Sequence, residues 1–205
     1  MNLSAQEVQF GATSLSIREG GTDGWLTTEI HGALLDSIMD FRLAKEGNLI
    51  PAEAVTFHDQ TYSHVTFNLK DAAIGSYDVV SELPDGALAT LPNGFKVIPG
   101  QSVNLGVKMD LPAGARSSFY APFSIAFANG GNTDIAIREL LVVTDNGIIA
   151  TSIEGLKEGK KELHIVPDFG QDKRGFVTIP PGAHEVINCF IEVSSTSNVT
   201  VYIVK

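Results

Sequence analysis

Cysteine is almost absent from this chain: Cys189 is the only one in 205 residues. No disulfide can therefore close within it, and no thiolate zinc cluster can form. Tryptophan is as scarce, with Trp25 alone, so the cores must be filled by the eleven phenylalanines and the aliphatic residues. Basic residues are few, 14 against 24 acidic, for a formal charge of −10. A surface of that sign repels phosphate backbones and anionic lipid, which argues against nucleic-acid partners and membrane-surface binding. No run approaches the roughly 20 apolar residues of a spanning helix, so no membrane insertion is expected. The opening Met1-Asn2-Leu3-Ser4-Ala5-Gln6-Glu7 has neither the basic start nor the apolar core of a signal peptide. The expectation is a fragment of a longer secreted bacterial protein, located outside the cell or at its surface.

Motifs of catalysis are missing too. No Gly-x-Ser-x-Gly elbow occurs, and the histidines His31, His58, His64, His164 and His184 sit singly, without His-x-x-x-His or Glu-x-x-His spacing. Each reads as a polar strand-face or loop residue. Asp36, Asp40, Glu46, Glu53 and Asp59 crowd one region, but short loops offer no cleft between paired carboxylates. They read as a solvated acidic edge, which discourages edge-to-edge pairing. Asn129, Asn132 and Asp134, or Asp145 with Asn146, could supply some oxygen ligands to calcium, yet neither set forms an EF-hand loop. Turn stabilisation is the stronger reading of both. The glycine-rich turn at Asn129 to Asn132 lacks a following Lys-Ser/Thr, so no phosphate cradle is indicated. The expectation is no catalytic residue, no metal ligand and no cofactor, with the binding residues unassigned.

Turn signals are what the chain has in plenty. Among them are Gly20-Gly21, Asp23-Gly24, Pro84-Asp85-Gly86, Pro92-Asn93-Gly94, Pro99-Gly100, Asp145-Asn146-Gly147 and Pro180-Pro181-Gly182. Recurrence every 8 to 14 residues or so is the rhythm of an all-β sandwich. Between the turns lies alternation of period two, which puts one strand face on a core. Leu26, Thr28 and Ile30 alternate with Trp25, Thr27, Glu29 and His31. Val65, Phe67 and Leu69 follow the same rule, as do Phe123, Ile125 and Phe127, and finally Val199, Val201 and Ile203. Ile187, Cys189, Ile191 and Val193 share a face, so Cys189 reads as a buried, inert thiol. No segment holds a helical stripe over three turns. Ala33 to Arg42 has a reading as a short helix, set against a strand-like Ile38, Phe41 and Leu43 pattern that Asp36 and Asp40 interrupt, and Ala150 to Lys161 has room for one helical turn.

The fold expectation is all-β, two tandem immunoglobulin-like β-sandwiches over 1–98 and 99–205. The seam falls at Val97-Ile98-Pro99-Gly100-Gln101, where a strand ends and a fresh pattern begins. Charge changes there as well. Residues 1–98 carry five basic and thirteen acidic groups, net −8, and 99–205 nine and eleven, net −2.

The first half carries Ile30-His31-Gly32, then Gly75-Ser76-Tyr77-Asp78-Val79-Val80, Pro84-Asp85-Gly86 and Asn93-Gly94-Phe95-Lys96-Val97, in that order. Over residues 8–98 it resembles the IPT/TIG family of immunoglobulin-like domains. The second half, with Asn129-Gly130-Gly131-Asn132-Thr133-Asp134, is similar to sandwich segments that follow such domains in large bacterial surface proteins. Arg116 stands alone where those segments are richer in arginine and glycine, so no ligand site is carried over. The resemblance implies a non-enzymatic binding or spacer module acting in adhesion, partner docking or assembly. Its partner would be a protein or carbohydrate at the cell surface. The alternatives are an accessory carbohydrate-binding domain of a polysaccharide-active enzyme, or a structural subunit that self-associates through edge strands. Tyr62, Tyr120, Tyr202 and Trp25 are the rings available for a sugar, Tyr77 being assigned to the core.

Overall fold

The computed structural model describes residues 9–101, 105–112, 119–167, 169, 176–193 and 196–205. Arg116 lies outside them. The described chain is all-β, with a single short 3-10 turn at Gly155–Glu158. That turn falls within the Ala150 to Lys161 connection where the sequence left room for one. No helix among the described residues is long and apolar enough to cross a membrane. The chain divides into two compact units, Met1–Ser102 with Gly131–Asp134, and Val103–Gly130 with Ile135–Lys205.

In the first unit the strands are β1 (Gly11–Leu15), β2 (Glu19–Gly21), β3 (Trp25–Ala33), β4 (Asp40–Lys45), β5 (Asn48–Asp59), β6 (Tyr62–Asn68), β7 (Gly75–Glu82) and β8 (Leu88–Ile98). Their hydrogen-bonded order is β1-β3-β6-β5-β4-β7-β8-β2. All pairs are antiparallel except β2 with β8. Twelve residues long, β5 serves both halves of this order. Asn48 to Pro51 pair with β4, and Ala52 to Asp59 with β6. The changeover has a local cause: Pro51 has no N–H to donate, and the register slips between Ala52 and Ala54.

Alternation builds the core as read. Leu26, Thr28 and Ile30 of β3 are buried, with Val65 and Phe67 of β6, Leu69 just past it, Phe41 and Leu43 of β4, Tyr77 and Val79 of β7, and Phe95 and Val97 of β8. Burial of each large side chain contributes about 1.5–3 kcal/mol against the entropy of ordering it. Ile38 departs from the expected pattern. The chain turns at Asp36 to Met39, where the Met39 N–H bonds the Asp36 carbonyl at 3.1 Å. The turn leaves Ile38 62% exposed while Leu35 and Met39 go inside. Gly86 takes φ +86° in the Pro84-Asp85-Gly86 turn joining β7 to β8, the conformation its glycine was expected to supply.

The second unit has β9 (Gly106–Asp110), β10 (Tyr120–Ala128), β11 (Ile135–Ile137), β12 (Glu139–Thr144), β13 (Gly147–Ala150), β14 (Glu162–Ile165), β15 (Val177–Ile179), β16 (His184–Val193) and β17 (Val199–Val204). A four-stranded sheet runs β13-β16-β10-β9, a three-stranded one β14-β12-β17, and β11 pairs with β15. Phe123, Ile125 and Phe127 of β10 meet Leu140 and Val142 of β12 and Cys189 and Ile191 of β16 in a separate core. Cys189 is fully buried, and burial pushes its thiol up to about 11. It is an inert core residue. Val199, Val201 and Ile203 are only half-buried, because among the described residues β17 pairs with β12 alone, at a sheet edge.

Candidate functional site

The outer face of β3, β6 and β5 in the first unit gathers the polar side chains that alternate with the core. Antiparallel register sets Thr27 opposite Thr66, Glu29 opposite His64, and His31 opposite Tyr62. Residues directly opposite in such a ladder hold their Cβ atoms about 4.5–5.5 Å apart, close enough for side chains to pair. His58 joins from β5, at a register shift between Phe57 and Asp59 that re-aims its ring. Three of the five histidines therefore stand together, although their sequence spacing announces no pair.

Contacts in this cluster are specific. His58 Nε2 lies 2.7 Å from His64 Nδ1. His64 Nε2 lies 3.3 Å from Glu29 Oε1, and His31 Nε2 lies 3.2 Å from Glu29 Oε2. With Glu29 ionised, its oxygens only accept, so the Nε2 atoms of His64 and His31 carry the protons. His64 Nδ1 then holds a lone pair, and the His58 Nε2–H donates to it. Tyr62 stacks on His58 with centroids 4.7 Å apart and planes at 11°. The pair is reachable from solvent, His58 being exposed and the His64 side chain 38% exposed.

The turn between β5 and β6 keeps these rings in register. Asp59 Oδ1 accepts from the Thr61 N–H at 2.7 Å, the Thr61 hydroxyl at 2.5 Å and the Tyr62 N–H at 3.2 Å. Those bonds, led by the Thr61 hydroxyl, hold the Asp59 carboxyl below the usual range.

At the other end of the same face is Asp134, in the Gly131–Asp134 segment that belongs to the first unit. Its Oδ2 accepts from the Thr27 hydroxyl at 2.8 Å, and Thr66 in turn bonds Thr27 at 2.9 Å. Its Oδ1 is buried with no hydrogen-bond partner among the described residues. Burial raises Asp134 to about 7 against the opposing bonds from Thr27. Asn132 anchors the segment further: its carbonyl accepts from the Gly21 N–H at 2.8 Å and its amide donates to the Pro99 carbonyl at 2.9 Å. A Cβ on Gly21 would run into the Asn132 side chain, so close approach is what glycine supplies there.

The remaining candidates have local roles. Asn129 is buried, its amide donating to the Ile179 carbonyl at 2.8 Å. Asp145 accepts from the Asn198 N–H at 2.8 Å, the Asn198 amide at 2.7 Å and the Ser197 hydroxyl at 2.9 Å, which lowers its pKa. The Asn146 N–H bonds the Ser197 hydroxyl at 3.2 Å. Asp36 closes its own turn, accepting from the Ile38 N–H at 3.2 Å, and Glu53 accepts from Asn68 at 3.0 Å. Asp40 is exposed at the start of β4 and Glu46 occupies the β4–β5 turn with φ +44°. His164 pairs with Glu139 at 3.0 Å, and His184 is exposed at the start of β16. Tyr77 is core. Tyr120 and Tyr202 are 52% and 54% exposed, and Trp25 and Tyr62 are half-buried. Among the described residues no three His, Cys, Asp or Glu side chains converge on one metal position. No family model matches the chain, and no curated protein matches it.

The signal for the histidine cluster was present but indirect. Glu29 and His31 are two apart on one strand, and His58 and His64 flank the Asp59-Gln60-Thr61 turn. A hairpin assignment there, with its register, would have brought them together; spacing alone does not.

Proposed function

We propose that the chain is two tandem immunoglobulin-like sandwiches acting as a non-enzymatic binding or spacer module of a secreted or surface-bound bacterial protein. The observation that carries this reading is the strand order of the first unit. In an immunoglobulin fold strands A, B, E and D form one sheet and C, F and G the other. Here β1, β3, β6 and the later part of β5 follow the first order, and β4, β7 and β8 follow the second. Tyr77, near the start of β7, donates its hydroxyl to the Ala73 carbonyl four residues upstream at 2.8 Å. That bond is the tyrosine-corner arrangement of such folds. Both features support the IPT/TIG-like reading of residues 8–98.

Carbohydrate is the ligand class with a surface to recommend it. Phe119 is 63% exposed and Tyr120 52%, and Tyr120 meets Phe190 edge to face with centroids 6.2 Å apart. Exposed rings of this type present apolar area with a polar tip. Screening the purified chain on a glycan array, beside assays with chromogenic glycosides and esters, tests the reading. Saturable binding that Tyr120→Ala weakens about tenfold, without turnover, is the expected result. Hydrolysis by the chain overturns the non-enzymatic assignment, and a cytoplasmic location in the native cell overturns the surface assignment. Concentration-dependent oligomers in sedimentation would favour a self-assembling subunit instead.

A further inference from the structure

We propose that His58 and His64 form a two-nitrogen site for a divalent transition cation, tightest for Cu2+, with Glu29 as the carboxylate that orients His64. His58 Nε2 and His64 Nδ1 face each other across 2.7 Å, joined by one hydrogen bond. A metal ion replaces the proton of such a bond when the rings part slightly, since imidazole nitrogens bind these cations at about 2.0–2.1 Å. His58 meets this by changing tautomer through solvent, its proton leaving Nε2 and one being taken up at Nδ1.

Three further observations point the same way. Glu29 accepts from His64 Nε2, the nitrogen remote from the proposed metal. A carboxylate holding the far N–H of a ligating histidine fixes its tautomer and raises its basicity. Ring orientation is set on the other side too, by the Tyr62 face against His58 and by the Asp59 turn that joins the two strands. Finally, residues 1–98 carry net −8, which raises the local concentration of cations. Only two protein nitrogens converge, so water or an outside ligand takes the other positions. Imidazole donors with open positions suit Cu2+, Ni2+ and Zn2+, in falling order of affinity from copper.

The test is Cu2+ titration of the untagged chain by calorimetry, with electron paramagnetic resonance of the loaded protein. One equivalent is expected to bind with hyperfine structure from two nitrogens. His58→Gln and His64→Gln should each lower affinity at least tenfold and leave one-nitrogen spectra, a loss of the order seen when a metal site is disturbed. Glu29→Ala should weaken binding about tenfold while keeping the two-nitrogen spectrum, because it removes the acceptor that orients His64 and not a ligand. His164→Gln and His184→Gln serve as controls expected to bind as the parent does. Trp25 fluorescence and circular dichroism confirm that each variant is folded. Binding that survives in the His58→Gln, His64→Gln double variant, or a parent that takes up no stoichiometric Cu2+, overturns the proposal.

Discussion

Asp134 concentrates the electrostatic tension of the first unit in one side chain. Its Oδ2 is bonded by Thr27, while Oδ1 is buried with no partner among the described residues. Ionising it puts charge on a group that burial has desolvated, which lifts it to about 7 against the bonds from Thr27. Unfolded, the same carboxyl titrates near 3.9. Between those two values the folded state keeps a proton that the unfolded state releases. The stability this supplies is complete below about pH 4 and is lost as pH rises through 7, a swing of roughly 4 kcal/mol. Asp134→Asn keeps an acceptor for Thr27 and cannot ionise. Urea unfolding followed by Trp25 fluorescence should therefore show stability falling from pH 5 to pH 8 in the parent, with a much flatter profile in the variant. Equal slopes would show that Asp134 is solvated in the fold. Cys189 makes the opposite case, since burial raises its pKa without consequence where no charge is needed.

Strands were more legible than the turns that relate them. Each period-two run named from the sequence forms a strand, because the buried face of a sheet leaves little freedom in which residues face inward. Cross-strand neighbours were not legible, because pairing depends on turn geometry and on bulges that shift register by one. His58 shows the difficulty: it is brought to His64 by an irregularity between Phe57 and Asp59 that no local pattern announces. Ile38 shows it too, grouped with Phe41 and Leu43 in a strand-like pattern but lying in a turn. Asp59 is the residue on which the β5–β6 hairpin depends, through three bonds to one oxygen. Asp59→Ala should raise amide exchange at Thr61 and Tyr62 roughly tenfold, leaving the β7–β8 hairpin unchanged. Measured by hydrogen exchange, equal acceleration in both hairpins would mean global destabilisation and not a local turn effect. Cu2+ affinity should fall in the same variant if ring register is what builds the pair.

At the scale of the whole molecule, the first unit is not one continuous stretch of chain. Four residues, Gly131–Asp134, arrive from far along the sequence and are counted in its fold. They bond backbone and side-chain groups of residues 1–102. The Gly21 N–H bonds the Asn132 carbonyl at 2.8 Å, the Asp134 N–H bonds the Trp25 carbonyl at 2.8 Å, and the Gln101 N–H bonds the Asn132 side chain at 2.8 Å. Each bond contributes about 1 kcal/mol, and a domain of this size shifts by about 4–8 °C per kcal/mol. A chain truncated to residues 1–102 should thus keep its core of Leu26, Phe67 and Phe95 and still melt on the order of 10 °C below the same unit in the full chain. Trp25, the only tryptophan, reports that transition in both proteins. Asn132→Ala in the full chain separates lost contacts from an effect of truncation, and should reproduce part of the drop at pH 6. If the short chain melts with the full one, the segment adds nothing to the first unit's stability and residues 1–102 form a self-sufficient β unit.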